Sequence, residues 1–181
     1  MAILTAAVIL LSILVILDLV LSAAVIRRMR VYESARNAPP DRGGLADGAP
    51  VPEFATTTAD GAEFATASLA GARTLLGFFA TSCTHCVAAA PALADRAGRL
   101  AAEGVEVVPV LTMDEVGALD GVAESMRADL AKAGTLITEP RPGPVVSAFQ
   151  IRATPSYVLV GPDGKVLTSG YTVDECLAAL V

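Results

Sequence analysis

A buried-strand pattern, Thr74-Leu75-Leu76-Gly77-Phe78-Phe79-Ala80, leads through Thr81-Ser82 into two cysteines spaced Cys83-Thr84-His85-Cys86. Beyond them Val87 to Ala102 carries helical spacing, with Leu93, Ala97 and Leu100 on one face and Pro91 as a kink. A chain built this way must turn from strand to helix at the first thiol, which puts Cys83 at the helix N-terminus and Cys86 one turn in. Unpaired N–H groups and the helix dipole favour negative charge there, so the site stabilises the thiolate, the form that attacks disulfides. Cys83 then reads as the nucleophile and Cys86 as the resolving thiol. His85, the single histidine, lies between them, and an imidazolium there would stabilise the reduced form and make the couple more oxidising. The plainer reading of His85 is an exposed residue on the first turn.

Around this unit the pattern alternates. Phe54 and Phe64 flank the turn signal Ala59-Asp60-Gly61, a small hairpin, and Leu69-Ala70-Gly71 closes it. Val105 to Leu111 is a second β-branched strand, and Asp114 to Lys132 a second helix capped near Thr112 or Asp114 and ended by Gly134. Ser156 to Val160, the turn Gly161-Pro162-Asp163-Gly164 and Lys165-Val166-Leu167 form a closing hairpin, and Val173 to Leu180 a short last helix. Strands alternating with helices and closed by a hairpin predict an α/β layer fold with a central mixed sheet.

The N-terminal part is of another kind. From Ile3 to Ile26 the only interruptions are Thr5, Ser12, Asp18 and Ser22, long enough as a helix to cross a hydrocarbon core of roughly 30 Å. No basic residue precedes the run and Arg27-Arg28-Met29-Arg30 follows it, which favours an uncleaved anchor over a signal peptide. The expected organisation is an anchor with its basic flank at 1–30, a flexible linker at 31–49 marked by Pro39-Pro40, Gly43-Gly44 and Gly48, and a folded domain at 50–181. The arginine cluster alone places that domain in the cytoplasm. Asp18 inside the span has two readings, a contact with a partner membrane protein or a carboxylate that is protonated or reaches the interface.

Composition removes several classes. Beyond residue 44 there are 16 acidic and 8 basic residues, about −8 net, without a run of like charge, which argues against nucleic acid as a partner. Three cysteines are too few for a disulfide framework, and with one histidine they make poor material for structural zinc. Cys176, among Leu177 and Leu180, is read as a small buried hydrophobe, with a third redox thiol as the alternative.

Strand, dithiol and helix with an internal proline are followed downstream by Ala153-Thr154-Pro155-Ser156 just before a strand. Pro52-Glu53-Phe54 leading to Asp60-Gly61, Leu69 to Gly71, Phe78-Phe79-Ala80, Phe149 through Pro155 and Gly161-Pro162-Asp163-Gly164 complete the pattern. Over roughly 50–181 the chain resembles the thioredoxin superfamily, and more narrowly its membrane-anchored TlpA, ResA and MauD-like thiol–disulfide oxidoreductases. The resemblance implies a thioredoxin-like fold and a Thr154–Pro155 peptide that is cis and packs against the dithiol, whereas the plainer reading has Pro155 merely starting a strand. It also implies protein thiols or disulfides as substrates, an integral-membrane redox partner, no cofactor, and a domain outside the cytoplasm, the side slightly favoured over the one the arginines indicate.

The chain departs from that pattern in three places. Ser82 stands where relatives often carry Trp before the first cysteine. Gly77 stands where many thioredoxins bury an acid that moves protons for the resolving thiol, and Val87-Ala88-Ala89-Ala90 supplies no glutamate after Cys86. These losses disfavour a fast general reductase. Two other functions compete. A peroxiredoxin-type thiol peroxidase needs P-x-x-x-T-x-x-C, but counting back gives Ala80 and Leu76 from Cys83, and Cys83 and Phe79 from Cys86. A membrane-anchored Cu(I) chaperone would use the two soft thiolates, with Met113 as the nearest added ligand.

Overall fold

The computed structural model describes residues 43–113 and 121–178. In chain order it contains a hairpin of β1 (Ala55–Thr57) and β2 (Glu63–Ala65), a 3₁₀ turn at Thr66–Leu69, β3 (Arg73–Ala80), α1 (Thr84–Ala102), β4 (Val105–Met113), α2 (Gly121–Ala133) and β5 (Ile137–Pro140). After these come α3 (Pro144–Ala148), β6 (Ser156–Val160), β7 (Val166–Gly170) and α4 (Val173–Leu177). The anchor, Asp18 and the arginine cluster lie outside the described residues. Among the described residues no helix is long and apolar enough to cross a membrane.

β3 is the centre of a five-stranded sheet ordered β5-β4-β3-β6-β7. It runs parallel to β4 and antiparallel to β6, with Phe79 opposite Leu111 and Leu76 opposite Val158. Strand alternation divides its side chains between two cores. Leu75 and Phe79 join Leu93, Leu100, Leu111, Met126, Leu130 and Tyr157 beneath α1 and α2. Leu76 and Phe78 join Phe54, Phe64, Leu69, Ile137, Val145 and Phe149 beneath the hairpin and α3. Both faces of β3 are therefore dry, which is why its sequence is apolar throughout rather than alternating. Pro109 is tolerated within β4 because its edge without an N–H faces away from β3; Val107, on that same edge, accepts a hydrogen bond from the Thr135 N–H at 3.1 Å.

This is a thioredoxin-like α/β fold with a mixed central sheet. Two details differ from the sequence expectation. The expected linker end, Gly43 to Ala49, belongs to the domain: the Gly44 N–H donates to the Gln150 carbonyl at 2.9 Å, and the Gly48 N–H to the Val166 carbonyl at 2.7 Å. Glycine-rich sequence reads as a linker, yet here its backbone pairs with the edge of β7 and with the segment that follows α3. β5 and α3 also have no counterpart in the sequence reading, because both are short, β5 ends on Pro140, α3 begins on Pro144, and Pro142 lies between them.

Candidate active site

Strand β3 ends at Ala80, and the chain turns at once: the Thr81 N–H donates to the Thr112 carbonyl at 3.1 Å and the Cys83 N–H to the Ala80 carbonyl at 3.1 Å. Buried Thr112 reinforces the turn by donating its hydroxyl to the Phe79 carbonyl at 2.9 Å. Cys83 is the N-cap of α1, in extended conformation, and its Sγ accepts the Cys86 N–H at 3.2 Å. The two cysteine sulfurs are bonded to each other, with Cα atoms 5.3 Å apart. Cys86 is fully buried while Cys83 is partly exposed. An incoming thiolate thus meets Cys83 first and expels Cys86, and the Cys86 N–H and the helix N-terminus favour the negative charge that Cys83 carries when it is expelled in turn.

The loop that leads into β6, the strand beside β3, faces the pair. The Thr154–Pro155 peptide is cis, and the Thr154 carbonyl oxygen lies 3.3 Å from Cys83 Sγ. In the reduced state that oxygen can accept the thiol S–H, and it opposes ionisation of the thiol, so the sulfur stands between helix N–H groups that favour its anion and a carbonyl that does not. Downstream the loop is fixed by the Ser156 hydroxyl, which donates to the Ala153 carbonyl, and by the pairing of Ser156 with Phe78. Upstream it is fixed by α3 and by buried Phe149.

The remaining positions divide clearly. His85 is exposed on the first turn of α1, beside Val87, which is 43% exposed. Gly77 lies on the α1 face, where a Cβ would stand 2.9 Å from the Phe79 ring and 3.3 Å from both Leu93 and Tyr157. Aromatic edges fill the place where an acid could otherwise sit. Tyr157, edge-on to Phe79 with centroids 5.9 Å apart, is held neutral by burial, its pKa pushed up to about 12. Cys176 is buried far along the chain, its Sγ 3.5 Å from the Tyr157 carbonyl. Among the described residues no three His, Cys, Asp or Glu side chains converge as a metal site would require.

One functional-looking side chain was not anticipated from sequence. Glu139 is 2% exposed, and its carboxylate accepts the Val145 and Val146 N–H groups, each at 3.0 Å. Burial raises its pKa from 4.5, partly offset by those two hydrogen bonds. It caps α3, the element that leads into the Thr154–Pro155 loop. The only sequence signal was an acid placed six residues before the first N–H it caps, and that is too weak to single out.

Comparison with known proteins follows the same lines. A family model described as AhpC/TSA family matches residues 48–169. The chain belongs to the AhpC/TSA family. Within this family frame it is similar to a secreted Mycobacterium tuberculosis disulfide oxidoreductase homologous to E. coli DsbE, at 26% identity and TM-score 0.55, covering 70% of this chain and 93% of that one. It is also similar to MTB dsbF, at 25% identity and TM-score 0.58, covering 71% and 95%. A thiol:disulfide interchange protein DsbE of Chlorobium tepidum shares the fold at 24% identity and TM-score 0.60, covering 76% and 99%. No curated protein matches the chain by sequence. The family, the neighbours and the bonded Cys83–Cys86 pair make the chain a thiol–disulfide oxidoreductase of the thioredoxin superfamily.

Proposed function

We propose that this AhpC/TSA-family chain is a membrane-tethered thiol–disulfide oxidoreductase of TlpA, ResA or MauD-like type, which exchanges disulfides with protein substrates outside the cytoplasm. The observation that carries the reading is a bonded dithiol whose partly exposed sulfur, Cys83, caps α1 and faces the Thr154 carbonyl at 3.3 Å. A substrate thiolate attacks Cys83 Sγ, the Cys83–Cys86 bond breaks, and Cys86 leaves as a thiolate that takes a proton. The second substrate thiolate then attacks the mixed disulfide at the substrate sulfur and expels Cys83. Two electrons pass from substrate to enzyme, and the substrate gains one disulfide. The reverse sequence reduces a substrate disulfide.

Two features favour the oxidising direction. His85 beside the pair stabilises the thiolate when protonated, and apolar packing at Gly77 supplies no acid to move protons for Cys86. Peroxide reduction is disfavoured by the lack of P-x-x-x-T-x-x-C before either cysteine. Tethering rests on the apolar run from Ile3 to Ile26, and an integral-membrane protein is the partner expected to reset the dithiol.

Redox titration of the full-length protein in detergent should show a two-electron couple that vanishes in Cys83→Ser, together with turnover of a reduced dithiol protein and none of hydrogen peroxide. Peroxide turnover that survives Cys86→Ser would sink the exchange reading. A membrane-impermeant thiol reagent should label reduced Cys83 in intact cells; protection until lysis would put the domain in the cytoplasm.

A further inference from the structure

The chain enters the domain beside the loop that faces the dithiol. Gly43 forms an antiparallel bridge with Ile151, and the Gly44 N–H donates to the Gln150 carbonyl at 2.9 Å. Gly43 has φ +55°, and a Cβ there would collide with the Gln150 carbonyl oxygen and stand 2.7 Å from Arg152 Cγ and 2.9 Å from the Arg152 backbone nitrogen. No other residue fits this crossing without displacing backbone. Gln150 itself adopts φ +55°, a left-handed conformation unusual for a side-chain-bearing residue, and is held there from two sides. From the first side, the Gln150 and Ile151 N–H groups donate to the Ser147 and Val146 carbonyls at 3.1 and 3.0 Å. From the other, Gly43 and Gly44 close over it.

The entering segment is itself anchored. Beyond Gly44 it lies along the edge of β7, with the Val166 N–H donating to the Ala49 carbonyl at 3.0 Å, the Val51 N–H to the Gly164 carbonyl at 3.0 Å, and Pro50 bridged to Lys165. Gly43 therefore presses on Gln150 and Arg152 from a fixed base. Arg152 is followed directly by Ala153, Thr154 and Pro155, whose downstream end is fixed in β6.

We propose that Gly43 is a positioning residue for disulfide exchange: the entering chain clamps Gln150 to Arg152 and so sets the separation between the Thr154 carbonyl and Cys83 Sγ. The proposal rests on the exchange reading above. It gives the segment joining the domain to the N-terminal apolar run a second task, holding the half of the site that faces the dithiol. Loosening the clamp lets the Thr154 carbonyl withdraw. The Cys83 thiolate then loses an opposing dipole, and an incoming substrate loses a fixed backbone edge.

The test compares full-length Gly43→Ala in detergent with Gly61→Ala. Gly61 lies in the β1–β2 turn at φ +89° with no atom near its would-be Cβ, so it reproduces the backbone strain far from the site. Gly43→Ala should slow exchange with a reduced dithiol protein by about three- to tenfold. The pH profile for alkylation of reduced Cys83 should move to lower pH, and Gly61→Ala should change neither readout. Gly44→Ala, whose methyl meets no neighbouring atom, strains the same pairing without collision and should shift both readouts in the same direction by a smaller, roughly twofold, factor. It serves where Gly43→Ala does not fold. Wild-type rate and profile in the Gly43 and Gly44 variants, or equal losses in Gly61→Ala, would overturn the proposal. A wild-type chain with no Cys83-dependent exchange would instead bring down the exchange reading itself, before any glycine variant is compared.

Discussion

Replacing Glu139 tests how the back of the site is built. Its carboxylate is 2% exposed and satisfies the Val145 and Val146 N–H groups at 3.0 Å each. Glu139→Ala leaves both donors buried without an acceptor, and at about 1–3 kcal/mol for each orphaned group the gross loss is roughly 2–6 kcal/mol. Removing a carboxylate that burial disfavours returns part of this, so a net loss of about 2–4 kcal/mol is expected. For a domain of this size each kcal/mol lowers the midpoint by roughly 3–4 °C, which gives a fall of about 6–16 °C. Glu139→Gln keeps the shape and one acceptor and should fall about halfway. The pH dependence follows from linkage. The folded-state pKa lies above 4.5, so the residue's favourable contribution from proton uptake is full below 4.5 and fades as pH rises through the raised value. The deficit of Glu139→Gln relative to wild type should thus be largest near pH 4.5 and shrink toward neutrality. Thermal unfolding followed by circular dichroism across this range measures both effects. A Glu139→Ala midpoint within about 2 °C of wild type would refute the capping argument, and a deficit that grows with pH would refute the dominance of burial over those two hydrogen bonds.

Other positions give sharper readouts of the chemistry. Gly77→Asp should destabilise the domain by about 3 kcal/mol or more, since its Cβ meets Phe79 at 2.9 Å and its charge has no partner, and denaturant titration would show it; a stable variant that reduces substrates faster would contradict the packing. His85→Ala should make the couple more reducing by tens of millivolts in glutathione equilibration, as roughly 30 mV corresponds to 1.4 kcal/mol for two electrons; an unchanged potential would remove His85 from the site. Reduced Cys86→Ser, given a protein disulfide, should accumulate a mixed disulfide with the substrate on non-reducing gels while Cys83→Ser accumulates none. The opposite pattern would exchange the roles of the two thiols.

The parts of this molecule legible in its sequence are those determined locally. An apolar β3 running into Cys83 and a helical α1 needs no distant partner to be recognised, because burial on both faces and the N-cap each leave a nearby signature. The opposite wall of the site is 71 residues away in sequence, and only likeness to a family pairs Thr154 with Cys83 in advance. Where the resemblance offers no pattern, the reading falls short. β5 and α3 look like a proline-rich loop, and Glu139 looks like surface charge, because its partners exist only once α3 has folded back over it.

The same logic explains the domain boundary. Gly43, Gly44 and Gly48 have the composition of a flexible linker, yet in the fold Gly43 and Gly48 take positive φ of 55° and 81° and Gly43 makes a backbone crossing that excludes any side chain. Composition reports conformational freedom and is silent on whether the fold uses it. Gly77 shows the converse: sequence comparison marks it as a missing acid, while the structure shows a site already filled by Phe79, Leu93 and Tyr157. Position 77 therefore supplies no acid for the proton chemistry of Cys86, and the packing around it leaves no room for one.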